Sequence, residues 1–329
     1  MTFAGVVMGG LTVAHHTAVA VEAERLGYES AWVTEVSGPD AVTVLAAAAT
    51  ATGRITLATG IVSTFVRDPF LMAMTLASLR DLAGGRVIAG LGTSTPAIVT
   101  GWHGLPFAKP LETTREYVKL VRQLLAGERV KSEGIYEISG ASLRSAAKTP
   151  VPIYLGALNP RMLELAGEIA DGVILNFPTP SNTAASVAAV ERGIAKAGRS
   201  RSHVTIVANM RTGLTAGFDD VAAPLRRELV SYALTPVYQR LFRDDGYAAE
   251  VEAVARLWAA GDRDAAVAAI SDRMVDDHAL VGSVETCRKK AQGLLARGVD
   301  KAVLFPVVAD GPGGAERALQ MIRAFAPKT

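Results

Sequence analysis

The stretch YLGALNPRMLELAG (154–167) carries the clearest mechanical signal in the chain. An apolar run ends at Gly156-Ala157, after which Asn159 is suited to cap a helix and Pro160 to fill its first position. The free N–H groups and the positive end of the helix dipole then face whatever lies over the strand end, which makes an anion site. Arg161 adds a positive charge in the same turn. A well-capped strand-to-helix connection with no ligand reads the same way, and spacing alone leaves both readings open. A second stretch, GLGTSTPAIVTGWHG (90–104), follows a glycine-rich strand end with the hydroxyls Thr93, Ser94 and Thr95. It lacks the GxxxxGK[ST] order of a phosphate-cradling loop, and a bare G-x-G is weak evidence. His103, beside Trp102, is either a proton donor in a pocket or a loop residue. Glu35, which closes AWVTE (31–35), either meets a ligand N–H or carries protons, or else caps a helix or pairs with a cation.

These candidates require elements that bring them together. Short β-branched runs at 3–9, 30–36, 55–62, 86–92, 151–157, 172–177, 203–210 and 301–307 predict eight strands. Helical patterns lie between them at 13–27, 39–51, 69–84, 110–128, 160–170, 182–198 and 283–298, with a last helix over 313–325. A polar stretch after residue 128 suits a small hairpin, and 219–275 reads as helical with no convincing strand. Strands buried on both faces, each followed by a helix, mean a parallel sheet. The count of eight, in a chain somewhat longer than the about 250 residues of a plain barrel, predicts an α/β fold of the (β/α)8 TIM-barrel type. The helical segment at about 211–280 is then an insertion after strand seven. No shift in composition marks a second domain, so residues 1–329 are read as one.

Barrel chemistry belongs to the C-terminal strand ends. There the chain presents Met8-Gly9, Thr34-Glu35-Val36, Gly60-Ile61-Val62, Gly92-Thr93-Ser94-Thr95, Gly156-Ala157, Asn176-Phe177-Pro178, Ala208-Asn209 and Phe305-Pro306. No lysine stands at these ends, which removes a Schiff-base nucleophile. No histidines or carboxylates converge with metal-ligand spacing, so no metal is expected. A rim of glycines, small hydroxyls and amides suits a large flat ligand held by backbone, with the hard chemistry supplied by a cofactor. In Gly60 the third strand has a glycine near its end, where another body must approach closely.

The totals agree. A net charge of +2 with scattered basic residues excludes a nucleic-acid surface. The single cysteine, Cys287, excludes a disulfide framework and a cysteine metal cluster. MTFAGVVMGG lacks the basic start of a signal peptide, and AVTVLAAAATATG is too short to span a bilayer. The expectation is a soluble cytoplasmic protein with a small-molecule substrate, no nucleic-acid partner and no membrane.

Six segments together resemble one family: ERLGYESAWVTE, LATGIV, RDP, GLGTSTPAIVTGWHG, VPIYLGALNPRMLELAGEIADGVILN and VDDHALVGSVETCRKKAQGLLARGVDKAVLF. In this order and at these spacings the chain resembles the bacterial luciferase-like superfamily. The likeness is to its branch of coenzyme F420-dependent oxidoreductases, which includes methylenetetrahydromethanopterin reductase. The resemblance implies a barrel with an insertion after strand seven and a homodimer. It implies a cis peptide at Gly60-Ile61, in a bulge against which a deazaflavin ring rests. Gly156, Ala157 and Leu158, ahead of the Asn159 cap, would then offer N–H groups to the cofactor phosphate. Thr93, Ser94 and Thr95 would lie near the polar edge of the ring, Glu35 near its pyrimidine side, and Asn176 would add a contact. Alcohol-oxidising members of the branch have an Asp-His pair where this chain has Glu35-Val36. The difference favours reduction by F420H2 of an activated C=C or C=N bond, with His103, Glu35 or water as the proton source. Two alternatives stand: an FMN-dependent monooxygenase of the same superfamily, and a flavin-binding protein without catalysis.

Overall fold

The structure, a computed structural model, describes residues 3–8, 12–144, 150–214, 219–307 and 313–327. The chain begins β1 (Gly5–Met8), α1 (Val13–Arg25), β2 (Ser30–Val33), α2 (Ala41–Ala51), β3 (Thr56–Thr59), β4 (Val62–Ser63) and α3 (Pro69–Leu82). It continues with β5 (Val87–Gly92), α4 (Pro96–Val99), α5 (Pro110–Leu125), and a hairpin of β6 (Val130–Glu133) and β7 (Glu137–Ala141). Next come β8 (Ile153–Gly156), α6 (Pro160–Ile169), β9 (Gly172–Asn176), α7 (Pro180–Lys196) and β10 (Thr205–Leu214). A helical run follows: α8 (Asp219–Ala233), α9 (Pro236–Asp244), α10 (Ala248–Ala259), α11 (Arg263–Ala268) and α12 (Asp272–His278). The chain closes with β11 (Leu280–Gly282), α13 (Val284–Leu295), β12 (Lys301–Pro306) and α14 (Gly314–Ala324).

Parallel pairing runs β1-β2-β3-β5-β8-β9-β10-β12 and returns from β12 to β1, so eight strands close a (β/α)8 barrel. Inward-facing Val7, Trp32, Ala58, Tyr154, Ile174, Val207 and Val303 pack its interior. The alternate residues of these strands pack outward against the helices, as period-two alternation requires. Helices that follow barrel strands start with side-chain caps from Thr12, Asp40, Asp68, Asn159 and Thr179, and Ser283 caps α13 after β11. Those caps sit at the strands' C-terminal ends, so the rim gathers helix N-termini. No helix of the described residues is long and apolar enough to cross a membrane.

Two details differ from the sequence reading. The third strand is broken into β3 and β4 rather than running unbroken over 55–62. The seventh runs to Leu214, into the expected insertion, because β11 pairs with its far end (Thr212↔Leu280 to Leu214↔Gly282). The three residues of β11 are too short for any periodicity to announce a strand. Gly9, expected at the first strand's end, lies outside the described residues.

Candidate active site

The break in the third strand builds the floor of the site. Ala58 pairs with Ile88 and Val62 with Leu91, so four steps on one strand oppose three on the other, which is a β-bulge. The peptide Gly60-Ile61 within it is cis, as the resemblance implies. Gly60 donates its N–H to the Val33 carbonyl at 2.7 Å. Thr59 Oγ1 donates to the Gly90 carbonyl at 2.7 Å. A Cβ on Gly90 would lie only 1.8 Å from the Thr59 carbonyl oxygen, so the bulge demands glycine on the neighbouring strand. Ile61 then lies over the next two strand ends, with its side-chain carbons 3.2 Å from where a Cβ of Gly92 would be and 3.1 Å from that of Gly156. Gly60, Gly92 and Gly156 thus leave one side of the barrel mouth floored by backbone and a single aliphatic side chain. A flat group is received there without a clash.

Beyond Gly156 the chain enters α6. Asn159 Oδ1 accepts from Met162 N at 3.0 Å and the Asn159 carbonyl from Leu163 N at 3.0 Å, as the sequence predicts. The N–H of Ala157 is turned into the sheet, donating to the Ile174 carbonyl at 3.3 Å. Those of Leu158 and Asn159 make no bond among the described residues and remain for an anion.

Past β5, Ser94 adopts φ 58°, and past β9, Phe177 adopts φ 51°. The left-handed region is sparsely used by residues other than glycine, and such residues cluster at functional sites. Thr95 caps the short α4 through Ile98 N at 3.4 Å, and Thr93 Oγ1 donates to the Ser94 carbonyl at 3.2 Å. His103 and Trp102 are exposed on the turn after α4, and the His103 side chain has no partner among the described residues. Among the described residues no group of three or more metal-ligating side chains is present.

On the opposite wall the insertion reaches into the mouth. Asn176, at the end of β9, donates from Nδ2 to Tyr238 Oη at 2.8 Å and accepts at Oδ1 from Arg211. Arg211 is 2 % exposed, pairs with Glu228 at 2.9 Å, and lies between the rings of Phe177 and Phe305, each 4.2 Å from its guanidinium carbon. Burial works against its charge, but Glu228 and the phenol groups of Tyr232 and Tyr238 outweigh it and raise its pKa. Burial likewise pushes both phenols up, so they stay neutral, and their oxygens accept from Asn176 (Tyr238) and Arg211 (Tyr232). Asn176 therefore ties the insertion to the barrel. Asn209, its register neighbour, differs: it is 4 % exposed and its Oδ1 has no partner. A buried acceptor left alone costs about 1–3 kcal/mol, so it is suited to a ligand donor. Arg211 was not among the sequence candidates, and Asn209 stood among the strand-end residues without a role assigned to it. Position near a strand end was the only signal either offered.

A family model described as luciferase-like monooxygenase matches residues 2–301. The chain belongs to this family. Among its relatives, 5,10-methylenetetrahydromethanopterin reductase of Methanolobus tindarius is 31 % identical, over 95 % of this chain and 94 % of that protein. The structure of the coenzyme F420-dependent tetrahydromethanopterin reductase of Methanopyrus kandleri superposes with a TM-score of 0.82 at 25 % identity, covering 98 % of this chain and 97 % of the other. The monooxygenase RslO1 of Streptomyces bottropensis shares the fold, with a TM-score of 0.74 at 23 % identity over 99 % and 98 % of the two chains.

Within this luciferase-like enzyme Glu35 has structural duties. Its Oε1 accepts from Ala41 N at 3.1 Å, at the start of α2, and from Arg67 at 3.3 Å. Arg67 also pairs with Asp40 at 2.5 Å. Burial disfavours the Arg67 charge, yet Glu35 and Asp40 together raise its pKa. Burial opposes the Asp40 charge too, but hydrogen bonds from Thr43 and the Arg67 charge hold its carboxyl below the usual range. The arginine of the RDP segment thus ties the bulged strand's loop to the second strand, and Glu35 is part of that clasp.

Proposed function

We propose that this enzyme is a coenzyme F420-dependent reductase that passes hydride to an activated C=C or C=N bond of a small organic substrate. The observation that carries the reading is the floor of Gly60, Gly92 and Gly156 with Ile61 laid across it. The residues present fit the cofactor in three ways. The floor accepts a flat tricyclic ring without side-chain obstruction. Asn209 Oδ1, buried and unpartnered, is an acceptor for the imide N–H of the ring's pyrimidine edge. The N–H groups of Leu158 and Asn159 at the start of α6 suit its phosphate. The similarity to methylenetetrahydromethanopterin reductases over most of the chain supports the same choice.

When bound, reduced F420 supplies the hydride. The chain contributes orientation and the exclusion of water. Thr93, Ser94 and Thr95 are proposed to face the polar edge of the ring from above β5. Glu35 is engaged by Arg67 and the α2 backbone, and the next residue, Val36, is apolar. At the end of the second strand no base therefore stands ready to take a hydroxyl proton, which favours reduction over alcohol oxidation. The proton that completes the reduction comes from His103 or from solvent. Loss of the pH dependence of turnover in His103→Ala selects the histidine, and an unchanged profile selects solvent.

The second reading, an FMN-dependent monooxygenase, is favoured by the family's own description. Titrating the purified protein with F420 and with FMN, followed by tryptophan fluorescence, separates the two. F420 binding at least tenfold tighter is expected. Tighter FMN binding together with oxygen consumption would sink the reductase reading. A homodimer is also proposed, through the apolar row Leu71, Met74 and Leu82 exposed along α3. Sedimentation of the wild type as a dimer and of Met74→Glu as a monomer is expected, and a monomeric wild type refutes it.

A further inference from the structure

A cavity of about 330 Å³ lies outside the barrel wall, where α7, α12 and α13 meet. Its size is at the lower end of small-molecule pockets, about 300–1,000 Å³. None of the glycines or rim hydroxyls of the candidate active site lines it. Its inner lining includes Met210, Leu280 and Leu294, all nearly fully buried and part of the packing between barrel and helices. Its outer lining includes Lys289, Lys290, Arg297, Asp276 and Asp277.

The charges there do not cancel. Asp276 is occupied by Lys290 at 2.5 Å, and Asp277 accepts from Tyr247 Oη and lies 4.0 Å from Arg273. His278 also lines the cavity, but its ring nitrogens are engaged by the Met274 carbonyl at 2.9 Å and Asp245 at 3.2 Å. Among the described residues Lys289 has no partner, and the Arg297 side chain, just past the end of α13, bonds only to the Gly293 carbonyl. Lys289 and Arg297 therefore border the apolar part of the lining without an ion pair among the described residues, while the two carboxylates of the cavity, Asp276 and Asp277, already hold other partners. Gly293, on α13, lies between Lys289 and Arg297, and a Cβ there would meet only the Arg297 guanidinium at 3.7 Å, so the wall is open at that point.

We propose that this cavity is a second binding site, for a small organic carboxylate carrying a short apolar chain. The chain fills the space beside Met210, Leu280 and Leu294, and the carboxylate meets Lys289 and Arg297. Arg211 also lines the cavity, but its guanidinium is taken by Glu228 and Asn176, and the site shares no residue with the glycine floor on which the cofactor reading rests.

Octanoate is the probe, with 1-octanol as its uncharged counterpart, titrated calorimetrically into the full-length protein. The expected result is one octanoate per chain, with octanol at least tenfold weaker. Lys289→Gln/Arg297→Gln should weaken octanoate at least tenfold. Gly293→Leu, which places a side chain in the cavity at a helical position with room for it, should abolish binding while leaving the melting temperature unlowered. No binding to the wild type, equal binding of octanol, or unchanged affinity in either variant overturns the proposal. So does displacement of octanoate by F420 or FMN, which would place the ligand in the barrel mouth.

Discussion

Replacing Gly90 by alanine tests whether the bulge, and not glycine content in general, shapes the active-site floor. The added Cβ would sit 1.8 Å from the Thr59 carbonyl oxygen, whereas real contacts essentially never fall below 3.0 Å, so the strands must separate by at least 1.2 Å. The obstacle is backbone and cannot rotate away. Separation breaks the 2.7 Å bond from Thr59 Oγ1 to the Gly90 carbonyl. That loss costs about 1 kcal/mol, and overpacking of a tight core adds about 1–3 kcal/mol. A total of about 2–4 kcal/mol corresponds to a fall of about 4–8 °C in melting temperature, at roughly 2 °C per kcal/mol for a chain of this size. Gly92→Ala and Gly156→Ala are the controls, because each new Cβ meets mainly side-chain atoms of Ile61, at 3.2 and 3.1 Å, which a small shift relieves. Both should melt within about 3 °C of the wild type and still lose cofactor affinity, since the shift raises Ile61 into the space over the floor. Thermal unfolding by circular dichroism measures the first effect and fluorescence titration the second. If Gly90→Ala melts with the two controls, the bulge does not depend on that close approach and the reasoning fails.

Arg211→Met should destabilise the protein by about 3–5 kcal/mol, because Glu228 and Asn176 lose a buried partner. Adding Glu228→Gln should recover part of that loss in denaturant unfolding, and strict additivity of the two changes would argue against the pair. Burial pushes the Cys287 thiol up to about 11, so the native protein should react with Ellman's reagent far more slowly at pH 8 than the denatured chain; equal rates would contradict its placement. Glu22 is held down from 4.5 to about 2 by hydrogen bonds from Arg25 and Arg323. Its folded pKa lies below the unfolded one, so its contribution is complete above about pH 4.5 and disappears as the pH falls towards 2. Melting curves of the wild type and Glu22→Gln should therefore differ at pH 7 and converge in acid, and a gap that widened on acidification would refute the assignment.

Much of this molecule was readable along the chain, for a physical reason: the features concerned are short-range. Alternation of β-branched runs with helical ones predicted all eight barrel strands, since burial on both faces leaves that pattern in any parallel sheet. The Asn159 cap was readable because its bond to Met162 spans three residues. The position of the cis peptide came with the resemblance of LATGIV and its neighbouring segments to known relatives. Other features rest on partners that only closure of the barrel brings together. Glu35 looked suited to chemistry, more than to a clasp, because of its strand-end position, until folding set Arg67 beside it from 32 positions away. Asn176 looked like a ligand contact until Tyr238, 62 positions on, claimed its amide and Arg211 its oxygen. The unpartnered carbonyl of Asn209 and the spare charges of Lys289 and Arg297 are visible only as what remains once neighbouring groups have paired. Residue type and spacing state which bonds a side chain is able to make. Which of them it makes depends on the groups that folding places within about 3 Å, and that is decided by the tertiary structure.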